Sequence, residues 1–217
     1  MKDILVIIPA RAGSKGVPGK NRKMLGGIPL IGHTIFEALE VFEPFQICVS
    51  SDDVELIKYV ESAGLNVPFV RPEYLSGDDA STYDVILHAL NFYKDKGINI
   101  STLVLLQPTS PFRKGHHIRE ALNLYSNSLD MVVSVTKTKA NPYFVLFEED
   151  ENGYLQKSKK GNFIRRQDAP EVWEYNGAIY IICLLYTSNY TGENIYYQKT
   201  PSGKIIHVLK NIKNFES

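Results

Sequence analysis

Net charge, cysteine and long apolar runs are what this sequence has little of. Its 217 residues carry 24 basic and 24 acidic side chains, so the formal net charge is zero. That balance argues against a general nucleic-acid binder, which shows an overall basic excess. The two cysteines, Cys48 and Cys183, sit in separate apolar runs far apart in the chain. They read as buried thiols in a reducing cytoplasm rather than as metal ligands. The first apolar run, "ILVII", is five residues long. It is too short for a signal-peptide core and far too short for a membrane span, and no later run approaches the length of one. What is present is an ordinary globular composition, 44% hydrophobic and 22% charged, in a chain long enough for one sizeable core and a small annex.

The hydrophobic pattern is organised. "DILVII" (3–8), "QICVSS" (46–51), "VPFV" (67–70), "TLVLLQ" (102–107) and "MVVSVT" (131–136) read as strands, most of them continuous apolar runs suited to burial on both faces. Between them, Leu30, Ile31, Thr34, Ile35, Ala38, Leu39 and Phe42 recur at helical spacing, as do Val85, Ile86, Ala89, Leu90 and Tyr93. Asp52 with Glu55 suggests a capping box for a helix that ends at Gly64, and residues 116–126 read as a further helix. Strand–helix alternation predicts an α/β fold of three layers, a mostly parallel sheet with helices on both faces. The alternation breaks at about 138–175, a polar and aromatic stretch read as an inserted β-rich excursion. "GAIYIIC" (177–183) returns to the sheet, and the last thirty residues read as short strands and turns.

One stretch stands out: "IIPARAGSKGVPGKN", residues 7–21. It follows the first buried strand and gathers Arg11, Lys15 and Lys20 among Gly13, Gly16 and Gly19, with no acid. In parallel α/β sheets, ligands bind beyond the carboxyl ends of the strands. Glycines there let backbone N–H groups face an anion, and Arg adds bidentate recognition of phosphate. The spacing fits neither familiar phosphate loop. A Walker loop needs its glycines one residue closer and Ser or Thr where Asn21 stands, and a dinucleotide fingerprint needs G-x-G-x-x-G. A solvated basic loop is the other reading; the place after strand 1 favours a polyphosphate.

"IPARAGSKGVPGKN" resembles the signature of the acylneuraminate cytidylyltransferases, also called CMP-sialic acid synthetases. "RPEYLSGDDAS" (71–81), "LLQPTSPFR" (105–113) and "YNGAIYI" (175–181) follow in family order. The resemblance implies a Rossmann-like nucleotidyltransferase fold in one domain spanning 1–217, with the excursion at about 138–175 serving dimerisation and lying near the sugar. It implies transfer of CMP from CTP to the anomeric hydroxyl of a 2-keto sugar acid of sialic-acid type, with release of pyrophosphate. Charge then builds on the oxygen bridging to pyrophosphate, which calls for cations around the phosphates. By the same resemblance Arg11, Lys15 and Lys20 carry the catalysis. The CTP site comprises Ala10, Arg11, Gly13, Ser14, Lys15, Lys20 and Asn21, with Arg71, Ala80 and Thr82 around the base. The sugar site draws on Gln107, Thr109 and Ser110, then Arg166, Asn176 and Tyr180, and an aromatic pair, Tyr196 and Tyr197. CTP, a keto sugar acid and a second copy of the chain are the implied partners, with no nucleic acid and no membrane, in the cytoplasm. An octulosonate or legionaminate-like sugar is an alternative acceptor, and a non-catalytic nucleotide- or sugar-binding protein an alternative function.

Blander readings accompany these residues. Ser81 or Asp79 caps the following helix, Gln107 is a strand-end turn, and Arg113 is a surface charge. Arg165 and Arg166 are a solvated pair, the two tyrosines are core, and His33 and His88 are structural. Mg²⁺ is the expected cofactor. The family's two metal-binding aspartates lie in an acidic segment absent from the 217 residues, which end at "KNFES". Either the sequence is cut short there or the protein lacks those ligands. For the 217 residues the expectation is that CTP binds and turnover is weak. A pyrophosphate-release assay over several Mg²⁺ concentrations tests this, and full turnover by the 217-residue chain would refute it.

Overall fold

The computed structural model describes residues 3–13 and 16–184, and the backbone of 205–207. The chain runs through β1 (Ile4–Pro9), a small hairpin of β2 (Met24–Leu25) and β3 (Ile28–Pro29), α1 (Leu30–Leu39) and β4 (Ile47–Ser50). It continues through α2 (Val54–Ser62), α3 (Thr82–Asp95), β5 (Thr102–Leu105), α4 (Gly115–Leu124) and β6 (Met131–Lys137). A second hairpin, β7 (Phe147–Glu149) and β8 (Leu155–Lys157), precedes β9 (Trp173–Cys183) and β10 (Ile205–His207).

Six of these strands form one sheet in the order β10-β6-β9-β5-β1-β4. β1 lies between β5 and the edge strand β4, parallel to β4 through Val6 opposite Ile47 and to β5 through Ile4 opposite Thr102. Its four residues Leu5 to Ile8 are at most 1% exposed, as expected of a strand covered on both faces. One layer packs Ile31, Ile35, Leu56, Val60, Ile118 and Ala121 of α1, α2 and α4 under Val6, Ile8 and Val104. The other packs Ile86 and Ala89 of α3 against Leu5, Ile7 and Leu105. The expected three layers therefore form, and the sheet is mixed: β9 returns antiparallel between β5 and β6.

Local chemistry sets the helix ends. Asp53 caps α2 by accepting from the Leu56 N–H at 3.2 Å; Asp52, the residue expected there, instead accepts the N–H of Ala12 at 2.8 Å. At the other end Gly64, with φ 89°, allows its own N–H to reach Glu61 O and that of Leu65 to reach Val60 O, a Schellman closure. Ser81 caps α3 through the Asp84 N–H, one of the two caps expected. The strand expected at 67–70 does not form. Pro68 has no N–H to give a ladder, and the backbone joins the β4 side just beyond the segment, by the bond from Arg71 N to Ser51 O. The helix expected at 116–126 is α4, starting at Gly115 and ending at Leu124.

α1 and α4 are joined by Glu37, whose carboxylate accepts from Lys114 Nζ at 2.9 Å and from the Gly115 N–H at 2.7 Å. Burial pushes the Glu37 carboxyl up, but these donors outweigh it and its pKa lies below the usual value. A depressed carboxylate contributes stability above its unfolded pKa and loses it as pH falls through the folded one. Glu37→Gln should therefore flatten the loss of stability on acidification below pH 4.5, read from urea midpoints at a series of pH values. An unchanged acid limb would refute the assignment.

Candidate active site

The chain leaves β1 toward β4 on one side of the sheet and later returns to β5 on the other. This is a topological switch point, where the loops beyond the strands' carboxyl ends part and leave a crevice. A cavity of about 280 Å³ lies there. Pro9 and Arg11 line it from the end of β1, and Lys20 and Asn21 from the loop that follows. Arg71, Ala80 and Thr82 line it from the segment leading into α3, and Gln107 and Thr109 from beyond β5. Eight of the residues expected to bind ligand thus meet in one place, from four separate parts of the chain.

The loop is shaped by its turns. Gly19, with φ 62°, starts a 3-10 turn over Lys20–Arg22, and Gly26 and Gly27, with φ 59° and 89°, close the β2–β3 hairpin behind it. That Gly-Gly pair is a hairpin signal carried by the sequence itself. Arg22 lies outside the cavity lining and pairs with Asp53 at 2.7 Å. Asn21 is 5% exposed; its Nδ2 donates to Arg11 O at 3.2 Å, and its Oδ1 has no hydrogen-bond partner among the described residues. An unpartnered buried acceptor on a cavity wall suits a ligand donor. The Arg11 guanidinium donates to Gly77 O at 2.8 Å and meets Asp78 at 3.0 Å, so it ties the β1 loop to the rim before α3. Lys20 is half-buried and forms no ion pair among the described residues.

Arg71 forms the floor and is 4% exposed. Its Nε donates to Ser50 Oγ at 3.0 Å and one terminal nitrogen to Ser50 O at 2.6 Å. Pro72 fixes the following backbone, so the side chain points inward as expected. Burial, together with the nearby Arg11, pulls its pKa down to about 10; it remains a cation at neutral pH. Arg113, read from sequence as a surface charge, is 1% exposed. It donates to Ala178 O at 2.7 Å, Gln107 O at 3.2 Å and Thr34 Oγ1 at 2.7 Å. Burial lowers its pKa to about 10. A buried cation is tolerable when oxygen acceptors converge on it, and only the fold brings these three together.

Other expected residues lie elsewhere. Ala10 is buried, its N–H bonded to Ser50 O, and does not line the cavity. Gly13 is exposed at the loop and also lies off the lining. Ser110 is buried inside the turn, its N–H on Gln107 O. Arg166 is exposed and donates to Lys139 O at 2.8 Å within the excursion. Tyr180 is buried on β9 with its ring edge toward Tyr175. The Asn176 Oδ1 accepts from Ser134 Oγ and the Ala178 N–H. Ser14, Lys15, Tyr196 and Tyr197 lie outside the described residues. His33 bonds Leu25 O, and His88 packs edge-on against Phe69.

Carboxylates near the loop are already engaged: Asp52 by Ala12, Asp53 by Arg22, Asp78 by Arg11. Among the described residues no group of three or more His, Cys, Asp or Glu is placed to hold a metal ion. These residues alone do not fit a Mg²⁺ site.

Cations at the switch point of an open α/β sheet are the setting in which such proteins bind phosphorylated ligands. The chain belongs to the cytidylyltransferase family, whose model matches residues 5–205. It is 39% identical over 180 residues to an N-acylneuraminate cytidylyltransferase of Streptococcus agalactiae, covering 82% of this chain and 42% of that protein. It is 33% identical over 178 residues to the CMP-N,N'-diacetyllegionaminic acid synthase of Legionella pneumophila, covering 82% of this chain and 77% of the other. The chain thus spans about two fifths of the length of the streptococcal relatives it matches. The fold is also that of a CMP:2-keto-3-deoxy-manno-octonic acid synthetase solved with CTP, with a TM-score of 0.60 at 21% identity over 83% of this chain and 73% of that one.

If Arg71 holds the cavity floor through both Ser50 atoms, Arg71→Lys keeps the charge but loses the fork. We expect it to cost about 1–2 kcal/mol, the worth of one or two buried hydrogen bonds, measured by denaturant unfolding. No change in midpoint would show that the fork does not matter.

Proposed function

We propose that the protein transfers CMP from CTP to the anomeric hydroxyl of a 2-keto sugar acid and releases pyrophosphate. The observation that carries this is the convergence of Arg11, Lys20 and Arg71 with the open Asn21 acceptor on one cavity at the switch point. Family membership supports the choice of CTP.

In this reading Lys20 and Arg11 hold phosphate oxygens, with Lys15 joining them from outside the described residues. Their charge counters what develops on the departing pyrophosphate, in a site that needs little rearrangement. Asn21 accepts from ribose or base. Ala80 and Thr82 shape the base pocket, and Arg71 keeps its floor rigid through Ser50. Gln107 and Thr109, beyond β5, face the acceptor sugar, and alignment of its hydroxyl with the α-phosphorus is the main contribution of that wall. The Mg²⁺ requirement expected of the family is part of this proposal, although the described residues offer no ligand set for it.

We read the acceptor as a sialic-acid-type sugar, with a legionaminic acid as the second choice. The relative of which this chain covers the larger share is a legionaminate-type synthase, which keeps that reading alive. A homodimer through the excursion is supported by its exposed apolar side chains, among them Val145, Leu146, Phe147, Tyr154, Leu155 and Ile164. Exposed apolar area on this scale marks an interaction surface. No helix among the described residues is long and apolar enough to cross a membrane; action in the cytoplasm is part of this proposal.

Pyrophosphate release from CTP, measured with a sialic acid, a legionaminic acid and an octulosonate in turn, tests the reaction and ranks the acceptors. Release with none of them by the full-length protein would overturn the proposal. Within it, Lys20→Ala should weaken CTP binding by about tenfold to a hundredfold, the loss of one charge-assisted bond. Calorimetric titration reads this; an unchanged Kd would remove Lys20 from the phosphate site.

A further inference from the structure

Gln107 is half-buried on the cavity wall, and no hydrogen bond among the described residues holds its side-chain amide. Nothing in its own loop explains why that amide stays where it is. The explanation lies across the sheet, in β9. Val133 on β6 pairs with Tyr180 and Val135 with Tyr175, so Ser134 alone faces the four residues 176–179 in a bulge. At the apex, Gly177 takes φ 75°. A Cβ built on Gly177 would lie 2.7 Å from Gln107 Oε1. The Gln107 amide therefore rests in the space that a side chain at 177 would fill.

The bulge is itself pinned on two sides. Ser134 Oγ donates to Asn176 Oδ1 at 2.6 Å and accepts from the Ile179 N–H at 2.9 Å. On the other side Arg113 grips Ala178 O, next to Gly177, and Gln107 O with the same terminal nitrogen, while the other reaches Thr34 on α1. One buried guanidinium thus fixes both halves of the Gln107–Gly177 contact: the backbone that carries the amide and the backbone that makes room for it.

We propose that Gly177 and Arg113 are positioning residues for the acceptor sugar, acting through the Gln107 amide; this rests on the reading of Gln107 as an acceptor contact. Neither lines the cavity itself; both meet the lining only at Gln107. Both act on Gln107 from the β5–β9 wall, with Arg113 anchored further to Thr34 on α1, and neither bonds the nucleotide-side residues Arg11, Lys20, Asn21 or Arg71.

The test uses the full-length protein and compares acceptor KM with CTP affinity. Gly177→Ala should raise the acceptor KM by about tenfold to a hundredfold, the scale of a displacement of roughly 1 Å, and leave CTP affinity unchanged. Because a positive φ strains alanine, Gly177→Asn is the second variant: asparagine tolerates that backbone but still carries a Cβ. Arg113→Lys, which keeps the charge but cannot span three acceptors, should shift acceptor KM in the same direction. A double-mutant cycle then separates positioning from simple backbone damage. If Gly177 acts through Gln107, Gly177→Asn adds nothing to the acceptor KM of Gln107→Ala. An equal penalty in both backgrounds, an unchanged KM in the single variants, or an equal loss of CTP affinity overturns the inference while leaving the reaction in place. Failure of the unmutated protein to release pyrophosphate with any keto sugar acid overturns the underlying reading instead, and this inference with it.

Discussion

The parallel pairing of β1 with β5 is the constraint on which the cavity depends. Ile4 to Ile7 lie in register with Thr102 to Leu105, and almost every side chain on both strands is out of water. A one-residue slip would invert every side chain between the two layers, so the register is held by burial on both faces. It sets where Pro9 and Gln107 emerge relative to each other. Because β4 and β5 are reached on opposite sides of β1, the loops after β1 and β5 diverge, and the gap between them is the cavity.

Polar groups around that gap are held by buried cations rather than by mobile surface ones. Arg71 and Arg113 are both nearly inaccessible, and burial lowers the pKa of each. Leaving a guanidinium dry is costly unless acceptors surround it. Here the acceptors come from distant places: Ser50 at the end of β4 for Arg71, and Thr34, Gln107 and Ala178 for Arg113. Removing either cation would break two or three hydrogen bonds to carbonyl and hydroxyl oxygens at once. The exposed or half-buried cations, Arg11 and Lys20, are placed by turns and rims and remain the ones able to move onto an anion.

Much of the fold was legible in the sequence because its strands are continuous apolar runs and its helices are amphipathic. Burial decides both patterns, and burial leaves a local trace. The segment at 67–70 misled for the same reason: Phe69 is packed, against His88 and Phe92, but Pro68 denies the segment a ladder. Asp52 and Asp53 are adjacent and chemically identical, so pattern could not say which one capped α2. Arg113 looked like a charge before a helix because nothing within ten residues reveals that Ala178 and Thr34 fold over it.

From the sequence alone came the alternating α/β order and the basic glycine loop after the first strand, and the resemblance of its motifs pointed to Arg11, Lys20, Asn21, Arg71, Ala80, Thr82, Gln107 and Thr109, which line one cavity. The order and the loop rest on local composition, which the linear chain carries in full. Only the tertiary structure decided that β9 runs antiparallel between β5 and β6, that its bulge makes room for Gln107 at Gly177, and that a fully buried Arg113 joins the two. Those features are contacts between residues some seventy positions apart, and their geometry comes into being only when the sheet closes around them.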